Sequence, residues 1–313
     1  MSDASGLSLS SELIVLGSGS STGVPTPSCV LRPTNPPCSV CQKSLALPPE
    51  INKNYRCNPS LLISHCSPDG RRSYIQIDAG KHFRESLLRW YPRYNIPNID
   101  ALILTHEHAD AVFGLDDIRG VQAWSTQTEA QPLPVYLSQH SLDSLTKRFD
   151  YLVQKPPAGS SVRRVAQLDW RVIESSHAHT FEAGGLTFRP LPVEHGRDYT
   201  CLGFLFGVAQ RVAYLSDVSR IPPDIEKLIS VEGNGPVDIL ILDSLLKYHE
   251  HNTHICFRES LRIIRRLRPR KAYLIGMTHE FDHEETNAEL AELKEEGLDV
   301  ELSYDGLRIP VEL

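Results

Sequence analysis

Four times along this chain an acidic or imidazole side chain stands just beyond a short apolar run. Asp78 follows Tyr74–Ile77. The string His106-Glu107-His108-Ala109-Asp110 follows Ile103-Leu104-Thr105. His195 follows Leu191-Pro192-Val193-Glu194, and Asp217 follows Val212-Ala213-Tyr214-Leu215-Ser216. Runs this short and apolar read as buried strands. Sites in α/β sheets open beyond the carboxyl ends of strands. A lone His so placed would read as a surface or structural residue, and His106–Asp110 alone as a polar loop; repetition makes them read as one shared site. Two imidazoles two residues apart on a turn can converge on one ion, and neutral imidazole is a common metal ligand.

The remaining pattern frames this site. The strand Leu13–Leu16 ends in Gly17–Gly23, which reads as a flexible turn. Pro25–Pro59 is Pro-rich and reads as an ordered, irregular loop. Strands are expected at Leu61–Ser64, Tyr74–Ile77, Ala101–Leu104, Val135–Leu137, Arg163–Gln167, Arg171–Ile173, Leu186–Leu191, Leu202–Gly207, Arg211–Leu215, Ile239–Leu242, Ala272–Ile275, Val300–Leu302 and Leu307–Val311. Helices are expected at Phe83–Tyr91, stopped by Pro92, and at Ser141–Leu152 with Ser141 as N-cap. Further helices are expected at Pro222–Val231, Phe257–Leu267 and His283–Glu296. Ser125–Pro134 reads as a loop. Strands in both halves with helices after them give two sheets covered on their outer faces. No linker divides the chain, so residues 1–313 are expected to form a single domain.

The 313 residues carry 32 Lys plus Arg against 39 Asp plus Glu, a net charge of −7. That balance disfavours a duplex nucleic-acid binder. No apolar run reaches the roughly 18–20 residues of a membrane span. Met1–Ser11 is Ser-rich and lacks the features of a secretory signal. The seven cysteines are odd in number, which argues against a disulfide framework. A cytoplasmic location with no membrane partner is expected. Cys38-Ser39-Val40-Cys41 has the spacing of a zinc knuckle, and Cys29 lies on the same loop; three thiolates and one His would close a tetrahedral zinc site. Reduced, unconnected thiols are the plain alternative; a redox pair lacks the expected strand–motif–helix context. Cys57, Cys66, Cys201 and Cys256 read as structural or packing thiols.

Taken in order, Ile77-Asp78-Ala79-Gly80, Leu104–Asp110, His195 and Leu215-Ser216-Asp217 resemble the metallo-β-lactamase superfamily, over roughly Leu13 to Val311. The opening Leu16–Pro25, the cysteine loop at about 25–59, Pro190–His195 and Val212–Asp217 resemble its phosphoribosyl cyclic phosphodiesterase (PhnP-like) branch, a relative of tRNA 3′-processing endonucleases. The resemblance implies an α/β four-layer αβ/βα sandwich, the metallo-β-lactamase fold, with metal between the sheets. It implies His106, His108 and His195 as ligands, Asp217 as a bridging ligand and Asp78 as the residue orienting the ligand loop. It gives Cys29, Cys38 and Cys41 to a structural Zn²⁺ with His279, His283 being the second choice. The resemblance implies that a His at the place of His254 contacts the phosphate or protonates the leaving oxygen; a solvated loop and helix cap is the plain alternative for the string His249–His254.

This chain departs from the family string His-x-His-x-Asp-His, because Ala111 fills the last position. Through Thr278-His279-Glu280-Phe281-Asp282, the other His of the second metal site falls on Gly276. The expectation is one ion, Zn²⁺ or Mn²⁺, held by His106, His108, His195 and Asp217, or a weakly dinuclear site. Asp110 would then be a hydrogen-bond acceptor or general base for the water. An alternative alignment gives His279 or His283 to a second metal. Without a second ion, His254 and nearby donors such as Lys247 would meet the phosphate.

A divalent ion in such a site makes hydroxide available near neutral pH. The leading expectation is therefore a metal-dependent phosphodiesterase acting on a small cyclic or ester phosphate. A thioester or ester hydrolase, a tRNA-processing nuclease and a decayed scaffold are the alternatives, since fold does not fix substrate. A nuclease would want a basic surface, for which Arg262–Lys271 is one candidate. His65, His82, His140, His177 and His179 read as structural or surface residues. A small anionic substrate is the expected partner, with homodimer formation left open.

Overall fold

Along β1 (Ser11–Gly17) the side chains alternate between two cores: Leu13 and Val15 face one, Ile14 and Leu16 the other. That is the period of a strand buried on both faces, and it recurs through the molecule. The structure is a computed structural model and describes residues 10–123, 131–153, 165–231 and 235–313.

The other strands are β2 (Ser60–Cys66), β3 (Arg72–Ile77), β4 (Ala101–Ile103), β5 (Leu133–Leu137), β6 (Leu168–Val172), β7 (Phe181–Ala183), β8 (Leu186–Glu194), β9 (Thr200–Phe206), β10 (Val212–Leu215), β11 (Ile239–Asp243), β12 (Lys271–Ile275), β13 (Val300–Leu302) and β14 (Arg308–Val311). The helices are α1 (Pro27–Leu31), α2 (Ser39–Ala46), α3 (Phe83–Tyr94), α4 (Ala109–Val112), α5 (Gln139–Arg148), α6 (Asp150–Val153), α7 (Pro223–Ile229), α8 (Phe257–Leu267) and α9 (His283–Ala291).

Two seven-stranded sheets result, ordered β14-β1-β2-β3-β4-β5-β6 and β13-β12-β11-β10-β9-β8-β7. They share one plan. From β14 to β3 the first sheet pairs antiparallel, then parallel to β6. From β7 to β10 the second pairs antiparallel, then parallel to β13. One core joins the inner faces through residues such as Leu13, Ile103, Phe204 and Ile241. A second lies between the first sheet and Phe83, Trp90 and Leu145 of its helices. A third lies between the second sheet and Ile225, Ile263 and Leu290. The layers are therefore helix, sheet, sheet, helix. Among the described residues no helix is long and apolar enough to cross a membrane.

Several sequence expectations need correction. Helix α3 runs through Pro92 to Tyr94; Trp90 and Tyr91 are buried while Pro92 is exposed, and their burial outweighs the hydrogen bond that proline removes. The N-cap of α5 is Ser138, whose Oγ accepts from Ser141 N at 3.1 Å. Strand β7 was not apparent in the sequence. The cysteine loop contains α1 and α2. The turn after β1 is packed, not flexible: a Cβ on Gly17 would stand 1.9 Å from Asn58 O. Ser18 N and Oγ both donate to Asp305 Oδ1 at 2.8 Å. The expected strand at Arg163–Gln167 begins outside the described residues, and its described part is not a strand. Most of the Ser125–Pro134 loop also lies outside them, and Leu133 already belongs to β5.

Candidate metal centre

The parallel runs β3-β4 and β10-β11-β12 bring their carboxyl ends to one edge, where the apolar strands hand over to polar residues. His106 and His108 follow β4, His195 follows β8, and Asp217 lies just past β10. The ligand atoms of His106, His108 and His195 all lie within 4.8 Å of one another. So do those of His195, Asp217 and His254.

A hydrogen-bond chain sets the first of these imidazoles. Asp78 has φ 61°, a left-handed conformation that costs a non-glycine residue energy. There its Oδ1 accepts from Thr105 N at 2.9 Å and its Oδ2 from Thr105 Oγ1 at 2.8 Å. With its proton on Asp78, Thr105 Oγ1 accepts from His106 Nδ1 at 2.8 Å. Nε2 of His106 then carries the lone pair, and that atom is buried with no partner. His195 is set the same way, with Nδ1 donating to Thr253 O at 2.8 Å. An imidazole fixed through one nitrogen, with the other buried and unpartnered among further imidazoles, suits a metal ion. Thr105 was missed in the sequence, although it stands between the strand and the ligand string. Gly80 is required for close approach, since a Cβ there would lie 1.7 Å from Asp110 O.

The charges follow from burial. Burial pulls His106 and His195 below the usual imidazole range, which favours the neutral, ligating form. Burial would raise Asp217, but His106, His254 and His195 outweigh it and hold the carboxyl down. Asp110 is pushed up, by burial first and then by Asp217. His254 donates Nδ1–H to Asp243 Oδ2 at 2.7 Å. Burial opposes its protonation, but the charge and hydrogen bond of Asp243 lift it to about 9. Asp243 was also missed, although it ends the apolar run Ile239-Leu240-Ile241-Leu242 as the other site residues end theirs.

Other candidates lie outside the two ligand groups. Asp110 is 9% exposed and, among the described residues, joins neither ligand group. Lys247 is not a free phosphate donor: its Nζ binds Glu289 at 2.8 Å and Thr286 at 3.0 Å. His249 is exposed and pairs with Glu280, and His177 pairs with Asp224. Buried His65, His82 bonded to Asn58 and exposed His140 beside Glu107 join no ligand group among the described residues.

The cysteine cluster lies elsewhere. The donor atoms of Cys29, Cys38, Cys41 and His279 are mutually within 4.8 Å. His279 Nδ1 is 3.4 Å from Cys29 Sγ and 3.3 Å from Cys38 Sγ. His283 is turned away, its Nε2 on Asn287 at 3.0 Å. Burial, opposed by a backbone donor at Thr26 and reinforced by Cys38 and Cys29, pushes the Cys41 thiol up to about 12. A cation among the sulfurs would relieve that crowding, and three sulfurs with one imidazole suit zinc, whose Zn–S distance is about 2.3 Å. The same loop is tied to the chain beyond β12 by Arg56, which donates to Thr278 O at 3.1 Å and Phe281 O at 2.8 Å. Lys43 reaches Asp282, the N-cap of α9, at 2.8 Å.

A family profile described as a beta-lactamase superfamily domain matches residues 73–277, which is more than half of the chain and spans the histidine cleft. The chain belongs to the metallo-β-lactamase superfamily. Within it, the chain is similar to a diphosphatase from the PhnP family, at 31% identity and TM-score 0.75, covering 97% of this chain and 98% of that one. It shares the fold of human tRNase Z, short form, at 15% identity and TM-score 0.60, over 96% of this chain and 100% of that one. It is also 31% identical over 268 residues to an octanoyltransferase of Porphyromonas gingivalis (strain ATCC BAA-308 / W83), covering 85% of this chain and 46% of that protein. The chain thus spans about half the length of that relative. The superfamily and its PhnP-like branch are as the motifs implied.

Proposed function

We propose that this superfamily member is a metal-dependent phosphodiesterase acting on a small cyclic or ester phosphate. The observation that carries the reading is the meeting of His106, His108, His195, Asp217 and His254 at one sheet edge. A divalent ion held by the three imidazoles and Asp217 would lower the pKa of water to about 7 and polarise a phosphoryl oxygen. Asp110, close enough to Asp217 for their charges to interact, would accept a hydrogen bond from that water. His254, oriented by Asp243, donates a proton to the leaving oxygen, a role worth about 10²–10⁴-fold in rate. Next to His254 a cavity of about 370 Å³ opens between His251, Arg258 and the Arg262–Glu259 ion pair, a space of a size suited to a small substrate.

The similarity to a PhnP-family diphosphatase extends the candidate bonds to diphosphate linkages. The basic run supports a small substrate over RNA, because its cations are engaged. Arg265 and Arg266 pair with Glu296 and Glu226, Arg270 with Asp238, and Lys271 with Asp299 and Glu301. The test is a panel of bis-p-nitrophenyl phosphate, cyclic nucleotides, a dinucleoside diphosphate, a thioester and a pre-tRNA, each with Mn²⁺ or Zn²⁺. Turnover of a small phosphate is expected. A second reading, thioester hydrolysis, is favoured by the octanoyltransferase relative, and activity on the thioester alone would establish it instead.

A further inference from the structure

The two imidazoles that the superfamily resemblance gives to a second metal are missing from this cleft. Their positions hold Ala111, 2% exposed within the core under α3, and Gly276. Gly276 lies just past β12 with φ 78°, a conformation that side chains with a Cβ rarely adopt. A Cβ there would stand 2.6 Å from Asp243 Oδ1. Strand pairing explains the collision, because Asp243 of β11 lies opposite Ile275 of β12. Asp243 is fully buried. Its Oδ2 accepts from Val218 N at 3.1 Å and from His254 Nδ1 at 2.7 Å, while Oδ1 has no partner. His254 in turn sets a ring nitrogen within 4.8 Å of ligand atoms of both His195 and Asp217.

We propose that the Asp243–His254 pair occupies the second-cation position, so that the cleft holds a single metal ion. Asp243 fills the space a side chain at 276 would need, and its hydrogen bond anchors His254 beside Asp217. His254 then meets the substrate oxygens where a second ion would otherwise stand. With Asp243 where it stands, a side chain at 276 would meet its Oδ1 and would have to adopt a positive φ.

The inference rests on the metal-hydrolase reading, and electron paramagnetic resonance of the full chain loaded with Mn²⁺ separates the two. An isolated ion giving a six-line spectrum is expected. An exchange-coupled pair would overturn the inference and leave the hydrolase reading standing, whereas no cleft-bound Mn²⁺ or Zn²⁺ would overturn both. The Ala111→His/Gly276→His double variant is expected to keep the six-line signal. Adding Asp243→Gly is expected to produce the coupled pair. A coupled pair in the double variant with Asp243 intact would refute the part given to Asp243. If the variants do not fold, the spectrum of the natural chain still decides the ion count.

Discussion

The histidine cleft and the cysteine cluster both gather side chains able to bind metal, but they stand in opposite relation to the fold. The cleft takes residues from the ends of β3, β4, β8, β10 and β11, strands whose other residues fill the cores. The cleft sets Asp217 near Asp110, which pushes the Asp110 carboxyl up, and Asp78 behind it holds a positive φ. The cluster takes three cysteines from a loop whose own apolar cluster is little more than Val24, Val40 and Cys41. It anchors them to His279 beyond β12. In the cleft the fold holds the ligands. In the cluster the donors, with the cation they suit, would help to hold the loop.

That contrast predicts different losses. Cys41→Ser should lower stability by about 4 kcal/mol or more, the range reached when a structural metal is lost. Chemical denaturation and zinc content check it, and an unchanged midpoint would erase the contrast. His106→Ala should do the reverse, keeping thermal stability near wild type while kcat/KM falls about 10³-fold, since several kcal/mol of charge stabilisation at the metal is removed. Circular dichroism and kinetics on the same preparation separate the two effects.

A smaller effect sharpens the view of how the cleft is held. Thr105→Val removes the hydroxyl that joins Asp78 to His106 without altering the strand. Metal affinity should weaken about 10–100-fold, as when an outer partner of a ligating histidine is lost; metal titration with a fluorescent competitor reads this. Unchanged affinity would mean that packing alone orients His106.

The smallest effect lies at the anchor of the cysteine loop. Burial pulls His283 down to about 3 from 6.5, and its backbone N donates to Asn54 at 2.9 Å. Below pH 6.5 the unfolded chain binds a proton that the folded chain refuses, so stability falls as pH drops from about 6.5 toward 3. Between pH 7 and 5.5 wild type should lose roughly 1 kcal/mol relative to His283→Asn. Denaturant midpoints for both proteins across that range would show a narrowing gap, and a constant gap would remove His283 from the acid response.

Much of the cleft was legible in the sequence because its signal is local. An apolar run followed by a His or Asp is the same event at His106, His195 and Asp217, and the strand that produces it is itself read from a short window. The Cys38–Cys41 spacing is local in the same sense. What the sequence concealed depends on neighbours far along the chain. Asp243 carried the strand-end signal, but its meaning came from His254, eleven residues later across a loop, and from Gly276 just past the adjoining strand. Lys247 looked like a phosphate donor until Glu289 claimed it.

The sequence by itself therefore determined the superfamily, the strand ends that carry the chemistry and the residue types able to ligate metal. These depend on short-range periodicity and spacing, which survive in one dimension. Only the tertiary structure decided which histidine completes the cysteine cluster and which cations are already paired. It alone showed that Asp243 fills the space beside Gly276. These are outcomes of packing, where two groups compete for the same few ångströms or the same counter-charge, and the winner depends on segments tens to hundreds of residues apart.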